Sequence, residues 1–330
     1  MARDIVISMP VSERKLIEQI RRSVHGGPSV VTGIGDDSAV LRVPSGNELL
    51  VTTDFSIENV HFRRDWPAEL VGWRCLTRGL SDVAAMGGEP LTVFLSLAIA
   101  KDVPQKWVDG FLKGLLDLAE EFKVPLAGGD TAQSTAGIQA DIVVIGSVPK
   151  GEAILRSGAN PGDLIYVTGT LGAAADALAK LKQPKPGAAK RVSGELLRQL
   201  RPVPRIAIGG WLRQRGIASA MIDLSDGLST DLSHICEESR VGAEIEAEAI
   251  PRAQVGTEKM PVALELALHG GDDYELLFTS DPSVSFPSKV AGVGVTRIGQ
   301  ITKSRGMRLL TNGRLRRLQA GGWEHFRGEK

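Results

Sequence analysis

The chain of 330 residues is short of cysteine and aromatics, carries no net charge and has no long apolar run. Only Cys75 and Cys236 occur. Neither has a second Cys or a His at metal-ligand spacing, which argues against a structural zinc site and a disulfide scaffold; two distant thiols fit a reducing compartment. Lys plus Arg and Asp plus Glu each number 39, so the basic excess expected of a protein that holds a nucleic-acid backbone is missing. The longest apolar stretch, Leu91–Ala100, is interrupted by Thr92 and Ser96, and a spanning helix needs ~20 residues. Met1 to Ile20 mixes charges through its apolar positions and has no signal-peptide core. P-loop, HExxH and GxSxG patterns are absent, and Gly169-Thr170-Leu171-Gly172 is only a fragment of a dinucleotide fingerprint. His61, His234, His269 and His325 are scattered and read, on spacing alone, as core or surface histidines. The expectation is a cytoplasmic protein with neither membrane nor nucleic acid as partner.

Glycine is what the chain has in excess: 38 of 330 residues, against a usual ~7%. Apolar residues at 42% and charged residues at 24% are ordinary for a folded domain, and the length suggests two. Periodicity predicts helices over 12–24, 67–86, 104–122, 171–182, 193–200, 204–215, 227–240 and 261–268, and strands over 49–53, 91–100, 141–148, 164–168, 220–222, 243–248, 274–279, 298–301 and 307–310. Trp107, Phe111, Leu115, Leu118 and Phe122 form a helical stripe that reads as core. Ala127–Asp130 reads as a turn, and Gln183–Gly187 as an exposed loop. A break at Pro149-Lys150-Gly151 divides the chain into domains 1–149 and 150–330. Helices and strands mix without strict βαβ alternation, so the class expected is α+β with mixed sheets packed by helices.

The glycines keep company with aspartates. Gly35-Asp36-Asp37, Thr52-Thr53-Asp54, Ser81-Asp82, Gly128-Gly129-Asp130, Asp223-Leu224-Ser225-Asp226-Gly227 and Gly270-Gly271-Asp272-Asp273 share one signature. Any one of them alone is ordinary turn or cap chemistry. Asp82, however, falls inside a predicted helix, where capping does not account for it, and Thr53 and Asp54 end an apolar strand, where functional residues of α/β sites tend to lie. Converging carboxylates repel unless cations sit between them. Hard divalent ions such as Mg²⁺ take oxygen ligands together with substrate phosphates, and glycine backbone can line a phosphate nest. The set points to Mg²⁺-assisted phosphoryl transfer.

Gly33–Val40, Thr53-Asp54 with Val60-His61-Phe62, Ser81–Gly87, Gly128–Thr131, Arg156–Asp163, Asp223–Leu228, Gly270–Phe278 and Gly322–Phe326 resemble, in order, the motifs of the thiamine-monophosphate kinase family. That family lies within the aminoimidazole-ribonucleotide-synthetase-like superfamily of ATP-using enzymes. The resemblance spans residues 33–326. It implies two α+β domains per chain, N-terminal domains pairing in a homodimer, and direct in-line transfer of the γ-phosphate of ATP to thiamine monophosphate without a phosphoenzyme. It implies several Mg²⁺ ions on Asp37, Thr52, Thr53, Asp54, Asp82, Asp130, Asp223 and Asp226, the threonines through hydroxyl or backbone oxygen. Gly129, Asp130, Arg156 and Ser225 would meet ATP; His61, Asp272 and Trp323 would meet the thiamine moiety or its phosphate. The family usually has Glu where this chain has Asp272, Gly where it has Asn59, and a second Thr where it has Ala132. A cyclase-type relative, a nucleotide-binding relative without turnover and a metal-dependent phosphatase stand as the alternatives.

Overall fold

A computed structural model describes residues 12–182 and 199–326. The expected loop 183–187 and most of the expected helix 193–200 lie outside them. Contacts divide the chain into two compact units, one of residues up to Val83 with Glu89–Lys150, the other of Ala84–Gly88 with residues from Gly151 onward.

The first unit opens with α1 (Glu13–Ser23), whose Leu16 and Ile20 are buried one turn apart. A small hairpin of β1 (Val30–Thr32) and β2 (Val40–Leu41) follows. The main sheet comes next: β3 (Asn47–Ile57), α2 (Ala68–Ala85), β4 (Glu89–Ala100), α3 (Gln105–Glu121), β5 (Leu126–Ser134) and β6 (Gln139–Pro149). Strand order is β3-β6-β4-β5. Only β4 and β5 are parallel, as a crossover through α3 demands. Val93, Leu95, Leu97 and Ile99 alternate inward along β4, and Ile142 and Val144 along β6. Helix α2 lies on that face, with Gly79 against Val144 and Thr52. The stripe Trp107, Phe111, Leu115 and Leu118 of α3 is buried, as its spacing predicts.

Two expectations are corrected here. Strand β3 does not stop before Asp54 but pairs with β6 through Ile57, because Ser56 and Ile57 continue the alternation. Ala127–Asp130 is not a turn but part of β5. Gly129 takes φ 151° there, and a Cβ on it would stand 1.8 Å from the Leu95 carbonyl oxygen. The glycine pair signals a close approach of two strands rather than a reversal.

The second unit contains β7 (Leu164–Thr168), α4 (Ala173–Lys182), α5 (Ile206–Arg215), β8 (Ala220–Asp223), α6 (Leu228–Ser239), β9 (Gly242–Glu246), a hairpin of β10 (Gln254–Val255) and β11 (Met260–Pro261), α7 (Leu264–His269), β12 (Leu276–Ser280), β13 (Lys289–Val290), β14 (Val293–Thr302), β15 (Gly306–Thr311) and β16 (Arg314–Leu318). Its main sheet runs β16-β15-β9-β14-β7-β12-β8, with β13 on β14, and β9 and β15 as the parallel pair. Both faces are apolar. Ile165, Val167, Ile222 and Leu277 pack with Leu228, Leu232 and Ile235 of α6. Tyr166, Met221, Leu276 and Phe278 pack with Ile208 and Leu212 of α5. Burial on both sides explains why these strands read as unbroken apolar runs. None of the described helices is long and apolar enough to cross a membrane.

Candidate active site

In the first unit the aspartates gather in two places. Thr52 and Asp54 sit two residues apart on the helix-facing side of β3, where Asp82 of α2 meets them. The Thr52 hydroxyl donates to the Asp82 carboxylate. Burial, then the neighbouring Asp82 charge and a hydrogen bond with it, push the Asp54 carboxyl up to about 7, against a partial offset from Arg78. Asp141 of β6 adds a further repulsive charge to Asp54 and is itself raised by burial. Its Oδ1 is buried without a hydrogen-bond partner. Thr53 falls on the opposite, exposed face between Val51 and Phe55, so only its backbone oxygen is shared with this cluster's strand.

The second gathering lines a cavity of about 650 Å³. Asp36 and Asp37 come to it from the loop after β1, Gly129, Asp130 and Thr131 from β5, and Ile17, Ile20, Phe94 and Leu97 supply apolar wall. Asp36 and Asp130 each turn one oxygen back to the next residue's amide, at 3.0 and 2.8 Å. The Thr131 hydroxyl is buried with no partner. An apolar wall beside a carboxylate- and glycine-lined rim suits a flat base with phosphates attached. His61 follows the end of β3. Its Nδ1 accepts the Ile57 amide at 3.0 Å, which puts the proton of the neutral ring on Nε2.

In the second unit Asp223 ends β8, and Ser225 and Asp226 lie in the turn leading into α6. The segment before β12 joins them: the Asp272 amide donates to the Ser225 carbonyl and the Tyr274 amide to the Leu224 carbonyl, both at 2.8 Å. Asp272 and Tyr274 both take positive φ, 68° and 51°, and the Tyr274 hydroxyl donates to Asp272 Oδ1 at 2.9 Å. Two non-glycine residues in this region mark a strained segment of the kind found at functional sites. Trp323 arrives from the C-terminal segment, its amide donating to the Asp226 carbonyl at 3.0 Å. Arg156 is exposed in the loop before β7, held through its carbonyl by Ser239 Oγ at 2.8 Å.

Several groups escaped the sequence reading. Asp231 of α6 is buried, caps the turn by accepting the Asp226 and Gly227 amides, and is held well above the usual carboxylate range by burial and by Asp223 and Asp226. Asp273, which the sequence placed in an aspartate–glycine segment without a role, is likewise raised by burial while accepting the Gly172 amide. Beneath the site Glu275 is clamped by Arg205 and by the Thr168 hydroxyl at 2.6 Å. Asp141 was legible only as a lone acid in a β-branched run.

The donor set of the first cluster is wholly hard oxygen. A carboxyl forced toward protonation by burial and by a second carboxylate beside it is what a hard divalent cation relieves. The residues fit Mg²⁺.

Comparison with known proteins gives two matches to family models: "AIR synthase related protein, N-terminal domain" over residues 35–148 and "AIR synthase related protein, C-terminal domain" over 160–311. The chain is 37% identical over 336 residues to a thiamine-monophosphate kinase of Haemophilus influenzae, covering 98% of this chain and all of that one. A crystal structure of thiamine-monophosphate kinase from Stenotrophomonas maltophilia K279a superposes with TM-score 0.79 at 34% identity, over 91% of this chain and 96% of that one. A structure of AaThiL complexed with AMPPCP and TMP superposes with TM-score 0.74 at 30% identity, over 95% and 97%.

Proposed function

The chain belongs to the thiamine-monophosphate kinase family, and we infer that it works by Mg²⁺-assisted, in-line phosphoryl transfer within that family's reaction. It is a phosphotransferase that moves the γ-phosphate of ATP to thiamine monophosphate, giving thiamine diphosphate and ADP. The observation that carries the mechanism is the crowding of the buried Asp54 against Asp82. Asp54 and Asp82 with Thr52, Asp37 with Asp130, and Asp223 with Asp226 are the groups that would hold Mg²⁺, with the Thr53 backbone oxygen added to the first. When bound, the metal would offset the charge of the phosphate oxygens.

The remaining work falls to the chain. The cavity walled by Ile17, Ile20 and Phe94 takes the adenosine, and Gly129 and Asp130 on its rim face the phosphates. Within the second unit, Arg156 offers a planar fork suited to two phosphate oxygens, and Ser225 offers a hydroxyl donor. His61 presents Nε2–H to the acceptor phosphate. Asp272, steadied by Tyr274, and the flat face of Trp323 meet the cationic thiazolium. The acceptor is already an ionised phosphate, so no general base is required.

We assign the enzyme to the cytoplasm and read it as a homodimer. In support, Leu49, Val51 and Phe55 alternate along the outer face of the edge strand β3 at 48%, 63% and 57% exposure. A second copy covering this stripe would bury it. ADP release from ATP tests the mechanism. It is expected only with both Mg²⁺ and thiamine monophosphate present, and ADP release indifferent to either would contradict it.

A further inference from the structure

Three consecutive amides of the C-terminal segment donate to the turn and first helical residues of α6. Gly321 N donates to Ser229 Oγ at 3.1 Å, Gly322 N to Thr230 Oγ1 at 3.0 Å, and Trp323 N to the Asp226 carbonyl at 3.0 Å. Hydroxyls in a helix usually bond back to their own backbone; these two reach out to another segment instead. Ser229 is fully buried, and its Oγ lies 2.7 Å from His269 Nδ1. His269 Nε2 in turn lies 3.3 Å from the Glu265 carboxylate. The approach is close. A Cβ on Gly322 would lie 2.1 Å from the Asp226 carbonyl oxygen and 2.7 Å from Thr230 Oγ1; one on Gly321 would lie 2.8 Å from His269 Nδ1. The Asp226 peptide is thus held on both sides, its amide by the Asp231 carboxylate at 3.2 Å and its carbonyl by Trp323.

We propose that Thr230 and Ser229 are positioning residues for the thiamine monophosphate site: their hydroxyls clasp Gly321–Gly322 and thereby fix the Trp323 ring at the Asp226 turn. The ring itself is half exposed and makes an edge contact with His325, and the backbone clasp sets the point from which it projects. This rests on the reading of Trp323 as a contact of the thiamine moiety. It sets the affinity for the acceptor and leaves the nucleotide alone.

The test is steady-state kinetics of Thr230→Val, which keeps shape and removes the hydroxyl, beside Thr230→Ser and Trp323→Ala. Thr230→Val should raise KM for thiamine monophosphate roughly fivefold, as one lost hydrogen bond would, with KM for ATP and saturating kcat held. Thr230→Ser should restore the wild-type KM. Amide exchange at Gly322 and Trp323 should quicken in Thr230→Val alone of the two. Gly322→Ala, which displaces the segment by contact with the Asp226 carbonyl, should give the same KM split and stands in if Thr230→Val does not fold. An unchanged acceptor KM in Thr230→Val and Gly322→Ala, with a raised one in Trp323→Ala, would overturn the clasp. Equal rises in both KM values would also overturn it, by showing a general loosening of the turn. An unchanged KM in Trp323→Ala would instead overturn the reading of Trp323 itself, and with it the positioning role.

Discussion

Asp54 carries two consequences that can be separated experimentally. Its carboxyl is raised from 3.8 to about 7 in the folded, metal-free chain, chiefly by burial and then by Asp82. A carboxyl whose folded value lies above its unfolded one costs stability as pH rises from about 4 to about 7, because the folded state gives up its proton later. Mg²⁺ must displace that proton. Binding should therefore release a proton near pH 6–7, and Mg²⁺ should raise Tm more at pH 8 than at pH 5.5; equal shifts would contradict the cluster as a metal site. Asp54→Asn should lower kcat by roughly two orders of magnitude or more while leaving the metal-free protein at pH 8 at least as stable as wild type. Cys75 and Cys236, both pushed up to about 12 by burial, should resist alkylation of the native protein at pH 8, as mass spectrometry would show.

At the scale of elements, period and composition made the long pieces legible. Helix α3 and strands β4, β6 and β7 fall within a few residues of where their apolar spacing predicts them. What the sequence hid has physical reasons. Gly128-Gly129 has turn chemistry in any window that ignores the neighbouring strand, yet its purpose is contact with Leu95. The two-residue strands β10, β11 and β13 hold too few residues to show a period. Strand β14 reads short because Gly294 and Gly299 interrupt its apolar signal. The Arg205–Glu275 clamp joins residues 70 positions apart, and no local pattern announces it. Because Glu275 is buried just before β12 and also receives Thr168 of β7, Arg205→Ala should destabilise the second unit by about 3 kcal/mol through an unpaired buried carboxylate. Arg205→Lys, lacking the fork, should recover only part of that loss in a denaturant titration.

For the whole molecule, the candidate site was legible as residue types and less so as geometry. The aspartate–glycine segments announced hard-cation and phosphate chemistry before any fold was known. They did not reveal that Thr52, Asp54 and Asp82 form one cluster and that Asp37 and Asp130 line a cavity, nor that a buried Asp231 stands by Asp223 and Asp226, since strand register and helix packing decide that. The apolar stripe Leu49, Val51 and Phe55 belongs to this scale too. Val51→Glu with Phe55→Glu should convert a dimer to a monomer in sedimentation velocity; an unchanged mass would place the interface elsewhere. The central claim is the reaction, and phosphorus NMR of the purified protein with Mg²⁺, ATP and thiamine monophosphate, against a control lacking the acceptor, tests it most directly. Thiamine diphosphate and ADP should grow together, and only when acceptor is present. ADP with free phosphate in the control, or ATP consumed without thiamine diphosphate, would contradict it.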